Sequence, residues 1–303
     1  MSLSERTHLM AEQAFLRSRL AELPRDALLT RMSTQSRLDT VSRALAQEPE
    51  REPARATLTF NGRPVIRSHG VFADFGMKAV NAFSDAVAAV AASLTAPLAQ
   101  MGPIPHREQN QMLITGTAVG SFGFELEEHG NGQLPLEEKT TVRLAIERTQ
   151  ELLFGSIAAD DELLADAASD IDRRALEKVR AFVATLADNE AICTLQYESQ
   201  AFRFNSVGQV REALERLSTD NLVEEQVQLN GHFEGVIPSR RTFEFKLAGS
   251  DEIIVGKVAP AISDPFEINR HLREQVTISV MQTRVANGRP RYLLLALPWL
   301  GLV

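Results

Sequence analysis

Apolar residues in the first fifty positions recur at helical intervals, with polar residues filling the gaps between them. Over 4–23, Leu9, Phe15, Leu16, Leu20 and Leu23 fall close to one helical stripe. Pro24 interrupts the pattern, and over 25–47 Leu28, Met32, Leu38, Val41 and Leu45 resume it. Two helices joined by a tight turn are predicted. Arg25, Arg31, Arg37 and Arg43 recur every six residues, which is not a helical period, so they spiral around the second helix and form no single basic face. The run QEPEREP at 47–53 ends the pattern with two prolines among charges and reads as a linker. The pair is expected either to dock on the body or to stand out as an arm for oligomerisation or partner binding.

The pattern then changes to mixed periods. A strand over 56–60 reaches Asn61–Gly62, a hairpin signal, with a second extended piece at 64–66. Over 79–94, Val80, Phe83, Val87, Val90 and Leu94 are separated mostly by alanine, which predicts a helix buried on nearly every side. The stretch 112–128 reads as strand, glycine-rich turn and strand, its Glu127 and Glu128 forming a solvated strand end. Amphipathic helices are predicted over 136–154 and 160–188, then a short hairpin over 193–205. Ser206 and Gln209 form a capping box for a further helix to about Leu217.

In the last eighty residues apolar positions alternate with polar ones in short segments divided by turn signals. Strands are predicted over 227–237, 241–247 and 253–258, a short helix over 265–274, and two more strands over 276–285 and 291–297 around Asn287–Gly288. Phe243, Phe245 and Leu247 face inward in this register, and Gly231 and Gly235 allow the first strand to bend. Three strands, a helix and two strands is an order that resembles the OB-fold, over about 75 residues. An SH3-like barrel or an open sheet would read similarly. The fold class expected is α+β: a helical hairpin arm at 1–52, an α+β domain at 53–220, and a five-stranded OB-like or other small β-barrel at 221–303.

Charge narrows the function classes. With 32 basic and 40 acidic residues the net charge is −8, which disfavours a generic electrostatic hold on nucleic acid. The acidity sits in 61–220, with 14 basic and 23 acidic side chains, so a local basic surface at either end remains open. The single cysteine, Cys193, cannot form an internal disulfide or a cysteine-based metal site, which fits a reducing, cytoplasmic compartment. Early charges argue against a signal peptide, and no stretch reads as a membrane span. Arginine outnumbers lysine 27 to 5, the codon bias of a GC-rich bacterial genome.

Enzyme signatures are weak. The turn bearing Gly116, Gly120, Ser121 and Gly123 lacks both the P-loop lysine and the strand-to-helix setting of a dinucleotide fingerprint. The histidines are scattered, and no nucleophile elbow exists. No catalytic residue, metal or cofactor is assigned. The resemblance to OB-folds implies a face where cations and aromatic rings could hold a nucleic-acid strand, with Arg240, Arg241, Lys246, Arg284, Arg291 and Tyr292 as its candidates. The aromatic share of 6% is low for such a surface. The leading expectation is a non-enzymatic binding or regulatory protein with a protein partner, able to self-associate through its N-terminal helices. Nucleic-acid binding by the barrel and an enzyme site near the Gly116–Gly123 turn are the alternatives.

Overall fold

The computed structural model describes residues 3–24, 26–46, 53–99, 101–118, 122–129, 140–169, 171–218, 221–286 and 288–299. Helices α1 (Leu3–Glu22) and α2 (Leu28–Ala46) form the expected hairpin. Leu9, Gln13, Leu16 and Leu20 on α1, and Thr34, Leu38, Val41 and Leu45 on α2, are among the less exposed positions, spaced by threes and fours as in a short coiled-coil seam. Gln13 Nε2 donates to Ser42 Oγ (2.9 Å) and Arg37 Nε to Glu12 Oε1 (2.7 Å) across it. Arg31 donates to the Leu20 and Leu23 carbonyls, satisfying acceptors at the end of α1. Phe15, Leu28 and Met32, which fit the stripes by spacing, lie off the seam and are exposed. Two helices cover only one narrow seam, and a wider stripe needs a further surface.

The body is built on an antiparallel sheet. Strand β1 (Arg55–Gly62) runs through Asn61–Gly62 and does not turn there; Gly62 pairs with Ala191, and the chain reverses at 63–64 into β2 (Val65–Ile66) and β3 (Gly70–Val71). Gly62 has φ +109°, and a side chain there would strike the Glu190 carbonyl, so the glycine serves close strand passage. Helix α3 (Ala73–Thr95) follows, then β4 (Met112–Ala118) and β5 (Phe122–Glu128). Next come α4 (Thr141–Ile157), α5 (Asp161–Ser169), α6 (Arg173–Asp188), β6 (Ala191–Tyr197), β7 (Gln200–Arg203) and α7 (Val207–Arg216). The sheet order is β4-β5-β1-β6-β7. Helix α3 lies against α4 and α6 with Ala79, Ala86, Ala89 and Ala91 fully buried, the small side chains allowing close approach on several sides.

Besides the turn at Asn61–Gly62, two expectations for this region change. The single helix over 160–188 is two helices: Asp172 caps α6, accepting from Arg174 N at 2.9 Å and, through its other oxygen, from Leu98 N at 3.1 Å. Glu127 is not a solvated strand end; it is fully buried, with Arg55 Nη2 at 3.3 Å from its carboxylate. Burial without a partner would be far costlier than burial beside a guanidinium.

The C-terminal strands are β8 (Leu222–Ile237), β9 (Thr242–Leu247), β10 (Ile253–Val258), β11 (Val276–Val285) and β12 (Arg291–Leu294), with a 3-10 helix, Pro265–Arg270, between β10 and β11. They close into a barrel in the order β10-β12-β11-β8-β9, with β10 and β12 parallel and the other pairs antiparallel. Closure excludes the open sheet, and the parallel contact between the third and fifth strands gives the OB-like order instead of a meander. Phe243 and Phe245 face inward with Phe233, Ile254, Ile278, Val280 and Leu294, and the long first strand carries a bulge between Phe233 and Gly235. One end of the barrel merges with the body, because Leu222 and Val285 belong to the larger core.

Candidate interaction surfaces

The barrel residues singled out as a nucleic-acid face fall in different places. Arg240 and Arg241 follow the end of β8, whereas Arg284 pairs with Val223 at its beginning and Arg291 pairs with Thr283, so the group splits between opposite ends of a sixteen-residue strand. Arg240 is exposed. Arg241, with φ +50°, turns back on the barrel and donates to the Val258, Ala259 and Ile262 carbonyls, closing the connection after β10. Lys246 Nζ lies 2.9 Å from Asp251, and Arg284 is half-buried with its Nε lacking a hydrogen-bond partner. Tyr292 packs half-buried against the barrel core, and burial raises its phenol pKa.

Arg291 has a different task. Its guanidinium bonds Asp166 and Glu162 of α5, with Nη2 3.3 Å from Glu162 Oε2, while Arg289 Nε stands 3.9 Å from the same glutamate. Ala286 N donates to the Asn221 carbonyl at 2.8 Å. The connection between the fourth and fifth strands, one of the ligand-binding loops of OB-folds, therefore lies against an acidic helix. On the outer face of β9 and β10 the cross-strand pairs are Thr242 with Lys257, Glu244 with Val255 and Lys246 with Ile253. That face presents both charges and aliphatic side chains, with Phe243 and Phe245 turned inward.

Of the glycine-rich turn, Gly120 and Ser121 lie outside the described residues. Gly116 sits at a register shift opposite Glu125. Gly123 pairs with Thr59, and a side chain there would collide with the Leu58 carbonyl and Thr59 backbone, so this glycine lets β5 lie tight on β1. Cys193 is buried in the body core, and desolvation raises its thiol pKa, which removes the thiolate a nucleophile needs. Among the described residues no three of His, Cys, Asp and Glu converge in a metal-holding group, and no helix is long and apolar enough to cross a membrane.

Two features carry no sequence motif. Along the hairpin, Leu20, Leu28, Arg31, Met32, Ser36 and Asp39 are among the residues lining a shallow groove of about 520 Å³. Met32 is 69% exposed, and Leu29 and Phe15 elsewhere on the hairpin are 85% and 66% exposed. The signal was present as a hydrophobic stripe wider than a two-helix seam can hide. Between α6 and the start of β8, Glu224 lines a cleft of about 200 Å³ with Arg173, Glu177 and Arg180. Burial drives its pKa up to about 7, opposed by Arg173 and reinforced by Asp172 and Glu177.

The chain matches no described protein family, no curated protein and no solved structure.

Proposed function

We propose that this protein is a non-enzymatic binding protein that works through protein–protein contact, with the α1–α2 hairpin as its docking element. The observation that carries this reading is the exposure of Phe15, Leu28, Leu29 and Met32 on a helical pair that already buries its own seam. Large apolar side chains gathered on an element with a groove mark interaction surfaces on soluble proteins, because covering them removes apolar area from water. The engagement of Arg241 with three backbone carbonyls and of Arg291 with Asp166 and Glu162 further supports a protein partner over a nucleic-acid strand.

Native mass spectrometry of gently purified protein, with the 260 to 280 nm absorbance ratio read on the same sample, tests this. One Trp and two Tyr keep the protein's own absorbance low, so bound nucleotide is conspicuous. The expected result is a discrete additional protein mass, a partner or a second copy, that disappears in a Leu29→Asp/Met32→Asp variant of unchanged melting temperature. A monomer with a high ratio that collapses after a salt wash would overturn the reading in favour of nucleic acid. A small-molecule mass held through that wash would favour an enzyme.

A further inference from the structure

The outer strands of an open sheet each leave a row of backbone N–H and C=O groups without ladder partners. The barrel closes on itself, so the long open edges belong to the body sheet, whose outer strands are β4 and β7. Strand β7 is only four residues long, carries Arg203, and has its Gln200 carbonyl bonded by Gln150 Nε2 at 3.4 Å. Strand β4 has seven residues, MLITGTA, with no charge and no proline to blunt it. Leu113 and Ile114, which alternation puts on opposite faces, are 37% and 50% exposed.

The direction of the free groups follows from the ladder. Glu128 N donates to the Ala54 carbonyl and His129 N to that of Gln111, so successive β5 residues turn alternately toward β1 and toward β4. Leu113, opposite Glu127, therefore turns its backbone groups to β5, and Ile114, opposite Leu126, turns them outward. Past the register shift Gly116 faces β5 and Thr117 faces out. Among the described residues no backbone group bonds this outer row.

One side chain marks the edge with charge. Glu125 of β5 pairs with Gly116, and its carboxylate lies across the glycine, where a side chain's Cβ would stand 2.9 Å from Oε2. The glycine thus lets an acid of the second strand reach over the first toward the open edge. Glu125 is half-buried, and among the described residues no donor bonds its carboxylate. Two copies of β4 joined edge to edge about a two-fold near Gly116 would bring two such carboxylates together, which disfavours a second copy as the occupant. A strand with a cation opposite Gly116 has the reverse effect, since directly opposed residues stand about 5 Å apart and a Lys or Arg spans that gap.

We propose that the edge of β4 accepts an extended segment of another protein as a sixth strand of the body sheet, with a Lys or Arg of that segment opposite Gly116 and against Glu125. Residues on either side of the cation fall on the other face, beside Ile114 and Thr117, where apolar or β-branched side chains fit. Main-chain bonds hold the segment, and the charge pair fixes its register. The shift after Ile114 keeps the pairing short. The proposal is independent of the hairpin reading.

The test is a fluorescence-anisotropy titration of the full chain with a labelled peptide, Val-Thr-Val-Lys-Val-Thr-Val, blocked at both ends. Its controls carry Glu in place of Lys, or N-methyl groups on alternate residues, and hydrogen exchange over 112–118 is followed in parallel. Saturable binding of the Lys peptide with slowed exchange in β4 is expected, with binding lost on N-methylation and weaker by roughly fivefold or more for the Glu peptide. Glu125→Lys is expected to reverse the preference between the Lys and Glu peptides. The peptide exchange is made on the unaltered protein, so the test stands even if that variant misfolds. No saturation with the Lys peptide, equal binding of the N-methylated one, protection outside β4, or no preference for Lys over Glu would overturn the proposal. Dimerisation of Glu125→Gln in sedimentation velocity, with no peptide bound by the unaltered protein, would assign Glu125 to guarding the edge against a second copy and overturn it too. The Leu29→Asp/Met32→Asp variant is expected to bind the Lys peptide normally, which separates failure here from failure of the hairpin reading.

Discussion

A carboxylate at position 224 stands in a cleft where burial works against its charge. Its protonated form is favoured in the native state up to about pH 7, while in the unfolded chain the group ionises near the ordinary 4.5. Between those values the native state binds more protons than the unfolded state, so stability falls as pH rises through that window. The contribution is fully favourable below the unfolded value and lost above the folded one. Replacing Glu224 by Gln removes the penalty, with an expected gain of about 1–3 kcal/mol near pH 8 and little change near pH 4.5. Thermal melts of both proteins across that range check it, and equal curves at every pH would exclude the effect. Spacing along the chain could not have found this glutamate, because its setting comes from α6, distant in sequence. Arg173 and Glu177 across the cleft have no periodic relation to it.

The elements themselves were legible where a single local rule decides them. Alternation with inward Phe243 and Phe245 marked the barrel strands, and apolar residues at steps of three and four separated mostly by alanine marked the buried helix α3. Legibility failed where two local rules competed. Asn61–Gly62 is a strong turn signal, yet the pairing of β1 with β6 extends through it, since the sheet gains ladder bonds and Gly62 permits the close passage. The break between α5 and α6 was hidden by apolar periodicity that runs across it, although Asp172 was a readable cap. That carboxylate joins two elements, holding Arg174 N in its own helix and Leu98 N beyond the end of α3. Asp172→Ala is therefore expected to cost about 1–2 kcal/mol, more than an average cap that serves one helix alone. Urea unfolding measures it, and Asp172→Asn, which retains an acceptor, is expected to recover part of the loss. A cost indistinguishable from zero would mean that solvent replaces both bonds.

At the scale of the whole molecule, the question is what ties the barrel to the body. Leu222 and Val285 extend the larger core into the barrel's first and fourth strands, and Arg291 adds a clamp to Asp166 and Glu162. The sequence placed Arg291 among surface cations because its partners lie more than a hundred residues earlier, a distance at which no spacing rule operates. The acidic turn opening α5 explains part of the negative charge of the middle segment: Asp161 meets Arg216 at 2.7 Å, and Glu162 meets Arg291. These pairs are partly exposed, so each contributes only about 0.5–1 kcal/mol to global stability. Their effect on the orientation of two packed units can be larger than on unfolding, since opening the joint breaks them without paying for the exposure of either core. Arg291→Glu sets a third carboxylate against Asp166 and Glu162. It is expected to raise amide hydrogen exchange in α5 and β12 while leaving β1 and α3 protected, and to lower the melting temperature by only a few degrees. A double variant that also carries Glu162→Arg should restore protection by rebuilding one pair in reverse. If exchange rises uniformly through the chain instead, the barrel and body unfold as one cooperative unit and the clamp has no separate role.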